Sequence, residues 1–232
     1  MYSDTGLIIF SRYNSCRLYG KALIKICNRP LLGRVIDIAK QLKKKYPIIV
    51  ATTAKQSDDI IESFALNEEV KVFRGSENNV LKRALDCCDF FGLKRFARIC
   101  GDRPFYSSKL IEDLINLHIK FDLDLATNSL TKTFPYGLTA EVLGVKCLKI
   151  IKSQTKNSSY LEHITSYIYN NKQKFRIKNI SSIIKDIENL NFAVDVIDDI
   201  KKSEWLLSKV SSNKKYNLNE LVKYLKKYEK NL

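Results

Sequence analysis

Glycine and proline are scarce in this 232-residue chain, 8 and 4 respectively, which excludes collagen-like and low-complexity architectures. No apolar run approaches the roughly 18 residues of a membrane span. The opening residues Met1-Tyr2-Ser3-Asp4-Thr5 carry no basic region, and the apolar stretch from Gly6 to Phe10 is too short for a signal peptide, so a cytoplasmic protein without membrane insertion is expected. The six cysteines, at positions 16, 27, 87, 88, 100 and 147, form no Cys-x-x-Cys pair, and both histidines lie far from any cysteine pair. Zinc-finger and thioredoxin spacings are therefore absent, and free buried thiols are the expectation. Gly-x-Gly-x-x-Gly is missing too, which removes the dinucleotide fingerprint.

The formal net charge is +15, from 40 Lys and Arg against 25 Asp and Glu. Such an excess suggests an anionic partner: nucleic acid, an acidic membrane surface or a phosphorylated ligand. The lysines are strewn along the chain rather than gathered on one element, which reads as solvated faces. With 45% hydrophobic residues, the chain is long enough to bury one sizeable core without staples.

Short β-branched runs alternate with longer helical patterns. Strands are predicted at residues 7–11, 48–53, 70–73, 96–100, 123–127, 141–145, 175–180 and 192–196. Helices are predicted at 31–45, 58–66, 80–91, 108–119, 161–170 and 199–210, with Asp198 as the cap of the last. This alternation predicts an α/β fold with helices on both faces of the sheet, and ligands beyond the carboxyl ends of the strands. A segment at 211–232 follows the domain at 1–210. Asn217 and Glu220 open it, Leu218, Leu221, Val222 and Leu225 recur at helical spacing, and Lys223, Lys226, Lys227 and Lys230 form its basic face. Packing on the domain or at a subunit contact is expected of it, with a membrane-surface helix as the alternative.

Two constellations carry chemistry. The first strand runs into Ser11-Arg12-Tyr13-Asn14-Ser15-Cys16-Arg17-Leu18-Tyr19-Gly20-Lys21. Arginine forks, a lysine and a tight loop suit a polyphosphate. It is not a Walker A loop, because Ser15 stands at its first glycine and Ala22 follows Lys21. The strand at 96–100 leads into Gly101-Asp102-Arg103-Pro104, and the last predicted strand carries Asp195 at its end. Two carboxylates converging from separate strand ends suit Mg²⁺ beside phosphates. A turn or cap role is the alternative for each aspartate.

Taken in order, these residues resemble the acylneuraminate cytidylyltransferase-like nucleotidyltransferases, most closely the branch of spore coat polysaccharide biosynthesis protein F. The resemblance spans most of the chain to about Val210: Ile8-Ile9-x-x-Arg12-x-x-Ser15-x-Arg17-x-x-Gly20-Lys21, Arg29-Pro30-Leu31-Leu32, Val50-Ala51-Thr52-Thr53, Phe73-Arg74-Gly75-Ser76-Glu77, Gly101-Asp102-x-Pro104, Phe134-Pro135-x-Gly137-Leu138, Glu162-His163-Ile164-Thr165 and Val194-Asp195. It implies a Rossmann-like nucleotide-diphospho-sugar transferase fold with a mainly parallel, mixed sheet. It implies an Mg²⁺-dependent enzyme that transfers CMP from CTP to a sugar acid or related small acceptor, for surface polysaccharide, as a homodimer and without nucleic acid. By resemblance, Arg12, Ser15, Arg17, Lys21, Gly75, Ser76 and Arg83 hold the nucleotide, with Arg12 and Lys21 also catalytic. Asp102 and Asp195 bind the metal, and Glu141, Glu162 and His163 line the acceptor side. The chain departs from the family pattern at Phe10 (usually Gln), Asn14 (Gly), Tyr19 (Pro), Arg103 (small or apolar), Thr139 (acidic) and Val196-Ile197 (Thr-Pro). These departures bear on base choice and acceptor identity. A nucleotide-binding relative without turnover and a nucleic-acid-binding protein are the two rival readings.

Overall fold

The computed structural model describes residues 4–210 and 216–230. The residues before Asp4, and 211–215 where the C-terminal segment was expected to begin, lie outside the described residues. In chain order the elements are β1 (Thr5–Phe10), β2 (Lys25–Ile26), β3 (Arg29–Pro30), α1 (Leu31–Ala39), β4 (Ile48–Thr53), α2 (Asp59–Asn67), β5 (Lys71–Gly75), α3 (Val80–Phe91), β6 (Arg95–Cys100) and α4 (Ser108–Lys120). They continue as β7 (Leu125–Thr127), β8 (Glu141–Gly144), α5 (Val145–Gln154), α6 (Ser158–Glu162), α7 (Ser166–Asn170), β9 (Ile177–Asn179), α8 (Ile197–Lys209) and α9 (Leu218–Glu229).

Seven strands form one sheet in the order β5-β4-β1-β6-β8-β7-β9. All run parallel except β8, which pairs antiparallel with both neighbours. Period-two alternation sorts the side chains: Leu7 and Ile9 of β1 face one layer, and Ile8 faces the other. The first layer is covered by α1, α2 and α4, through residues such as Val35, Ile61 and Leu114. The second is covered by α3, α5 and α7, through Leu85, Leu148 and Ile168. Strands buried on both faces read as continuous apolar runs, which is why β1 and β4 were legible. A third cluster, centred on Phe105, Phe192 and Leu206, takes in Leu221, Val222 and Leu225 of α9. Asn217 caps α9 by accepting from the N–H groups of Asn219 and Glu220.

Several expectations need correction. Residues 192–196 are not a sheet strand. They run as extended chain beside the turn after β6, where Val194 N–H donates to Asp102 O at 2.9 Å, and beside Tyr136, whose carbonyl accepts from Phe192 N–H at 2.8 Å. The expected helix at 161–170 is two short helices, because His163 leaves helical geometry as the C-cap of α6. The helix expected to reach residue 45 stops at Ala39 and tightens into a 3-10 turn at Lys40–Leu42. Helix α5, whose Leu148 and Ile151 face the sheet, was not foreseen because Val145 had been assigned to the preceding strand. Nor was the β2–β3 hairpin, whose two turn residues, Cys27 and Asn28, take φ of 45° and 61°. All six cysteines are free, but Cys16 and Cys27 are exposed. Among the described residues no helix is long and apolar enough to cross a membrane.

Gly137 shows how closely the segments near the sheet's carboxyl end approach. Its φ is +90°, and a Cβ there would lie 2.4 Å from Ala193 N. Gly137→Ala is expected to cost more than the ~1 kcal/mol typical of a positive φ alone, because the contacted atom is backbone and cannot swing away. Urea unfolding measures it, and a loss below about 0.5 kcal/mol would contradict the approach.

His118 of α4 is buried beside Gly144, and neither ring nitrogen has a hydrogen-bond partner. Burial, reinforced by nearby Arg95, pulls its pKa down to about 4, and Asp122 and Asp124 only partly offset this. The unfolded chain therefore binds the proton more readily. Stability from this site is full above pH ~6.5 and is lost as pH falls toward about 4. Denaturant titrations across that window should show a one-proton slope in the wild type that is missing in His118→Leu.

Candidate active site

The loop after β1 is held from below by Asp58. Its carboxylate accepts from Tyr13 N–H at 2.7 Å, Thr52 Oγ1 at 2.8 Å, and Thr53 N–H and Oγ1 at 2.9 and 2.5 Å. Burial would raise the Asp58 pKa, but these four donors outweigh it and hold it below the usual carboxylate value. Asp58 was not foreseen as a site residue; the Thr52-Thr53 pair preceding it is the signal that could have found it. At the loop's far end Gly20, with φ of 66°, turns the chain into a single 3-10 turn that starts at Lys21. That conformation needs glycine.

Lys21 is the centre of the site. Its Nζ lies 2.7 Å from Asp102 Oδ2, 2.9 Å from Asp195 Oδ1 and 3.1 Å from Val194 O. Burial alone would lower the pKa of this ammonium, but the attraction and hydrogen bonds of the two aspartates hold it above its ordinary value. Arg17 adds a second cation, its Nη2 2.8 Å from Asp195 Oδ1. The two aspartates meet because Val194 is hydrogen-bonded to Asp102 O. Gly101 keeps Asp102 close to β1: its N–H donates to Phe10 O at 2.9 Å, and a Cβ would lie 3.0 Å from the Ser11 side chain.

Asp195 is steadied from behind by Asp199, whose Oδ2 accepts the N–H groups of Asp195 and Val196 at 2.8 and 3.1 Å. Lys202 Nζ holds the other Asp199 oxygen at 2.6 Å. Asp199, not Asp198, therefore caps α8; Asp198 is exposed and pairs with Lys201.

A cleft of about 300 Å³ opens above these residues, lined by Arg12, Ser15, Arg17, Lys21, Arg83, Asp102, Glu162 and His163 among others. Asp195 does not line it directly but reaches it through Lys21 and Arg17. Arg83 is buried, with its guanidinium over the Phe10 ring and Nη1 donating to Ser76 O at 3.0 Å. Burial and the neighbouring Arg12 lower its pKa to about 10, so it remains a cation at neutral pH. Gly75 and Ser76 do not line the cleft. They act one step back, with Ser76 O holding Arg83, and a Cβ on Gly75 would lie 3.0 Å from the Arg83 side chain. Glu162 lies 3.8 Å from Arg12 across the mouth.

A second chamber of about 310 Å³ adjoins the first and contains Arg103, Ser129, Lys132, Tyr136, Thr139 and Glu141. Arg98 and His163 line both chambers. Glu141 faces the second one, but both its oxygens are engaged: Arg98 Nη1 donates to Oε2 at 2.7 Å and Tyr169 OH to Oε1 at 2.6 Å. Burial would raise the Glu141 pKa, and Arg98 reverses this. Arg103 Nη1 donates to Thr139 O and Oγ1 at 2.8 and 2.7 Å, and its guanidinium stacks over Tyr136. Arg98, Arg103 and Lys132 were not assigned to the site from sequence, because isolated basic residues carry no motif.

The paired aspartates are the residues suited to a divalent ion. Among the described residues no group of three or more His, Cys, Asp or Glu could hold a metal. Asp102 Oδ1 and Asp195 Oδ2 make no hydrogen bond among the described residues, which leaves each carboxylate one lone oxygen. Two hard oxygen donors completed by phosphate oxygens and water fit Mg²⁺ better than a closed protein cage does.

The family model described as cytidylyltransferase matches residues 7–229. An uncharacterised protein of Methanocaldococcus jannaschii is 34% identical over 84% of this chain and 79% of its own length. The spore coat polysaccharide biosynthesis protein SpsF of Bacillus subtilis is 27% identical over 96% of this chain and 94% of its own. A solved cytidylyltransferase from Leptospira borgpetersenii superposes with a TM-score of 0.92 at 26% identity, covering 99% of this chain and 96% of that one.

Asp199→Ala removes the acceptor for two N–H groups and unpairs Lys202. A loss on the order of 1–2 kcal/mol is expected in urea unfolding, the range of a lost helix cap. Asp198→Ala, which changes an exposed pair, should stay within about 0.5 kcal/mol of wild type.

Proposed function

We propose that this chain, which belongs to the cytidylyltransferase family, transfers a cytidylyl group from CTP to a hydroxyl of a sugar acid or similar small acceptor and releases pyrophosphate. The observation that carries this reading is Lys21 Nζ held between Asp102 and Asp195 at the floor of a cationic cleft. The four charges of Lys21, Arg17, Asp102 and Asp195 balance one another. A triphosphate gives Lys21 and Arg17 phosphate oxygens in place of the aspartates, and frees the two carboxylates for Mg²⁺. Bound there with the phosphates, Mg²⁺ supplies positive charge that withdraws electrons from phosphorus.

The acceptor lies in the second chamber, where Arg98, Arg103 and Lys132 favour an anion. An acceptor oxygen forms a bond to the α-phosphorus. The bond from that phosphorus to the bridging oxygen breaks, and its electron pair leaves with pyrophosphate. Arg12, Arg17 and Lys21 neutralise the departing charge, since such transfers depend on positioning and electrostatics more than on covalent catalysis. His163 lines both chambers, which supports it as the group that takes the acceptor proton. The activated product suits surface polysaccharide synthesis, in keeping with the name of the Bacillus relative; a cytoplasmic homodimer is the form the family resemblance suggests.

The first test is thermal shift with each nucleoside triphosphate and Mg²⁺, together with pyrophosphate release over a panel of sugar acids. CTP at one hundred times its Kd should stabilise the protein by ~2.7 kcal/mol. Equal stabilisation by ATP and GTP would reject cytosine preference.

The second compares Asp102→Asn, Asp195→Asn and the double variant across Mg²⁺ concentrations. Each single change is expected to lower turnover on the order of 10²-fold, with the double variant far short of the product because both act on one ion. A folded single variant with wild-type turnover and Mg²⁺ midpoint would exclude that aspartate as a ligand.

A further inference from the structure

Arg98 belongs to no motif recognised in the sequence, yet its position is distinctive. It sits on β6 at the middle of the sheet, directly opposite Glu141 in the antiparallel register with β8. That register makes the ion pair. Glu141 is in turn fixed by Tyr169 OH, which lies 3.1 Å from Thr127 Oγ1. The guanidinium is thus held from one end through Nη1, while its Nε is buried with no hydrogen-bond partner. The side chain keeps 19% of its surface exposed, and Nη2 makes no hydrogen bond among the described residues, so a donor is left for an anion. Arg98 lines both chambers, and so does His163, but Arg98 is the one of the two whose cation is held in place by a buried carboxylate.

We propose that Arg98 is a further catalytic residue, whose free guanidinium donors contact the phosphoryl group in transfer where the two chambers meet. The inference rests on the reading that the nucleotide occupies the first chamber and the acceptor the second. In that arrangement the α-phosphorus is the atom that both substrates share, so a cation common to both chambers meets the group being transferred. The phosphates beyond it are served by Arg12, Arg17 and Lys21. Arg98 keeps its proton throughout and forms no covalent bond. Its part is to offset the charge on the non-bridging oxygens as the acceptor oxygen adds and pyrophosphate departs. Glu141 sets the direction of the fork.

A ligand cycle tests this without an identified acceptor. Cytidine and CMP differ by the one phosphate that Arg98 is assigned to meet. Their dissociation constants are measured by calorimetry for the wild type, Arg98→Lys, and the double variant Arg98→Met/Glu141→Met. The double variant leaves no buried charge unpaired, so it is expected to fold where Arg98→Met alone would strand Glu141. The wild type should bind CMP more tightly than cytidine. In the double variant that preference should shrink by about 10- to 100-fold, the range of a charged hydrogen bond, with cytidine affinity unchanged. Arg98→Lys should fall between the two, because it keeps the charge and loses the fork. An unchanged CMP-to-cytidine ratio, or equal losses for both ligands, overturns the assignment and leaves Arg98 a packing residue. A wild-type protein that binds no nucleotide overturns instead the reading on which the assignment rests.

Discussion

One ammonium shared by two carboxylates organises this molecule's functional end. Lys21 follows the first strand, Asp102 follows the fourth strand in the chain order of the parallel sheet, and Asp195 lies on an extended segment outside the sheet. Three parts of the chain far apart in sequence are pinned at one point. The ammonium sits between the two carboxylates at the floor of the cleft and offsets their mutual repulsion. The carboxylates in turn outweigh the burial that would lower the Lys21 pKa and hold it above its ordinary value. Arg17 supplies the second cation, so the four charges of the centre balance.

Three buried carboxylates support that end of the molecule by holding backbone or other side chains in place. Asp58 gathers the loop after β1 onto the end of β4 through four hydrogen bonds. Asp199 ties down the N–H groups of Asp195 and Val196. Glu141 fixes Arg98. In each case burial disfavours the anion and several donors restore it, so the carboxylate is bound to a single geometry. Such supports place the cleft's charges on rigid elements, and electrostatic stabilisation needs that preorganisation.

The large positive charge of the chain is a separate matter from this cleft. Within the site the cations are individually assigned: Lys21 and Arg17 to Asp195, Arg12 toward Glu162, and Arg98 to Glu141. Many surface lysines, such as those at 82, 109 and 201, sit in local pairs with carboxylates three or four residues away. Pairs of this kind are exposed and contribute little individually.

The sequence by itself determined the layered architecture. Short apolar runs marked β1 and β4, and the helical pattern at 80–91 marked α3, because burial on a strand or a helix face imposes a local period. It also marked the loop residues Arg12, Arg17 and Lys21 and the turn Gly101-Asp102, where side-chain chemistry and backbone freedom coincide within a few residues. It could not show that 192–196 lies outside the sheet, since a segment's pairing depends on which partner is near, and here that partner is the Asp102 turn. Nor could it show the importance of Asp58, Asp199 or Arg98. Their roles arise from register and proximity between distant segments: Arg98 meets Glu141 only because β8 runs antiparallel to β6 in one register. Local pattern reports what a residue can bury or donate; only the tertiary structure decided what each one faces.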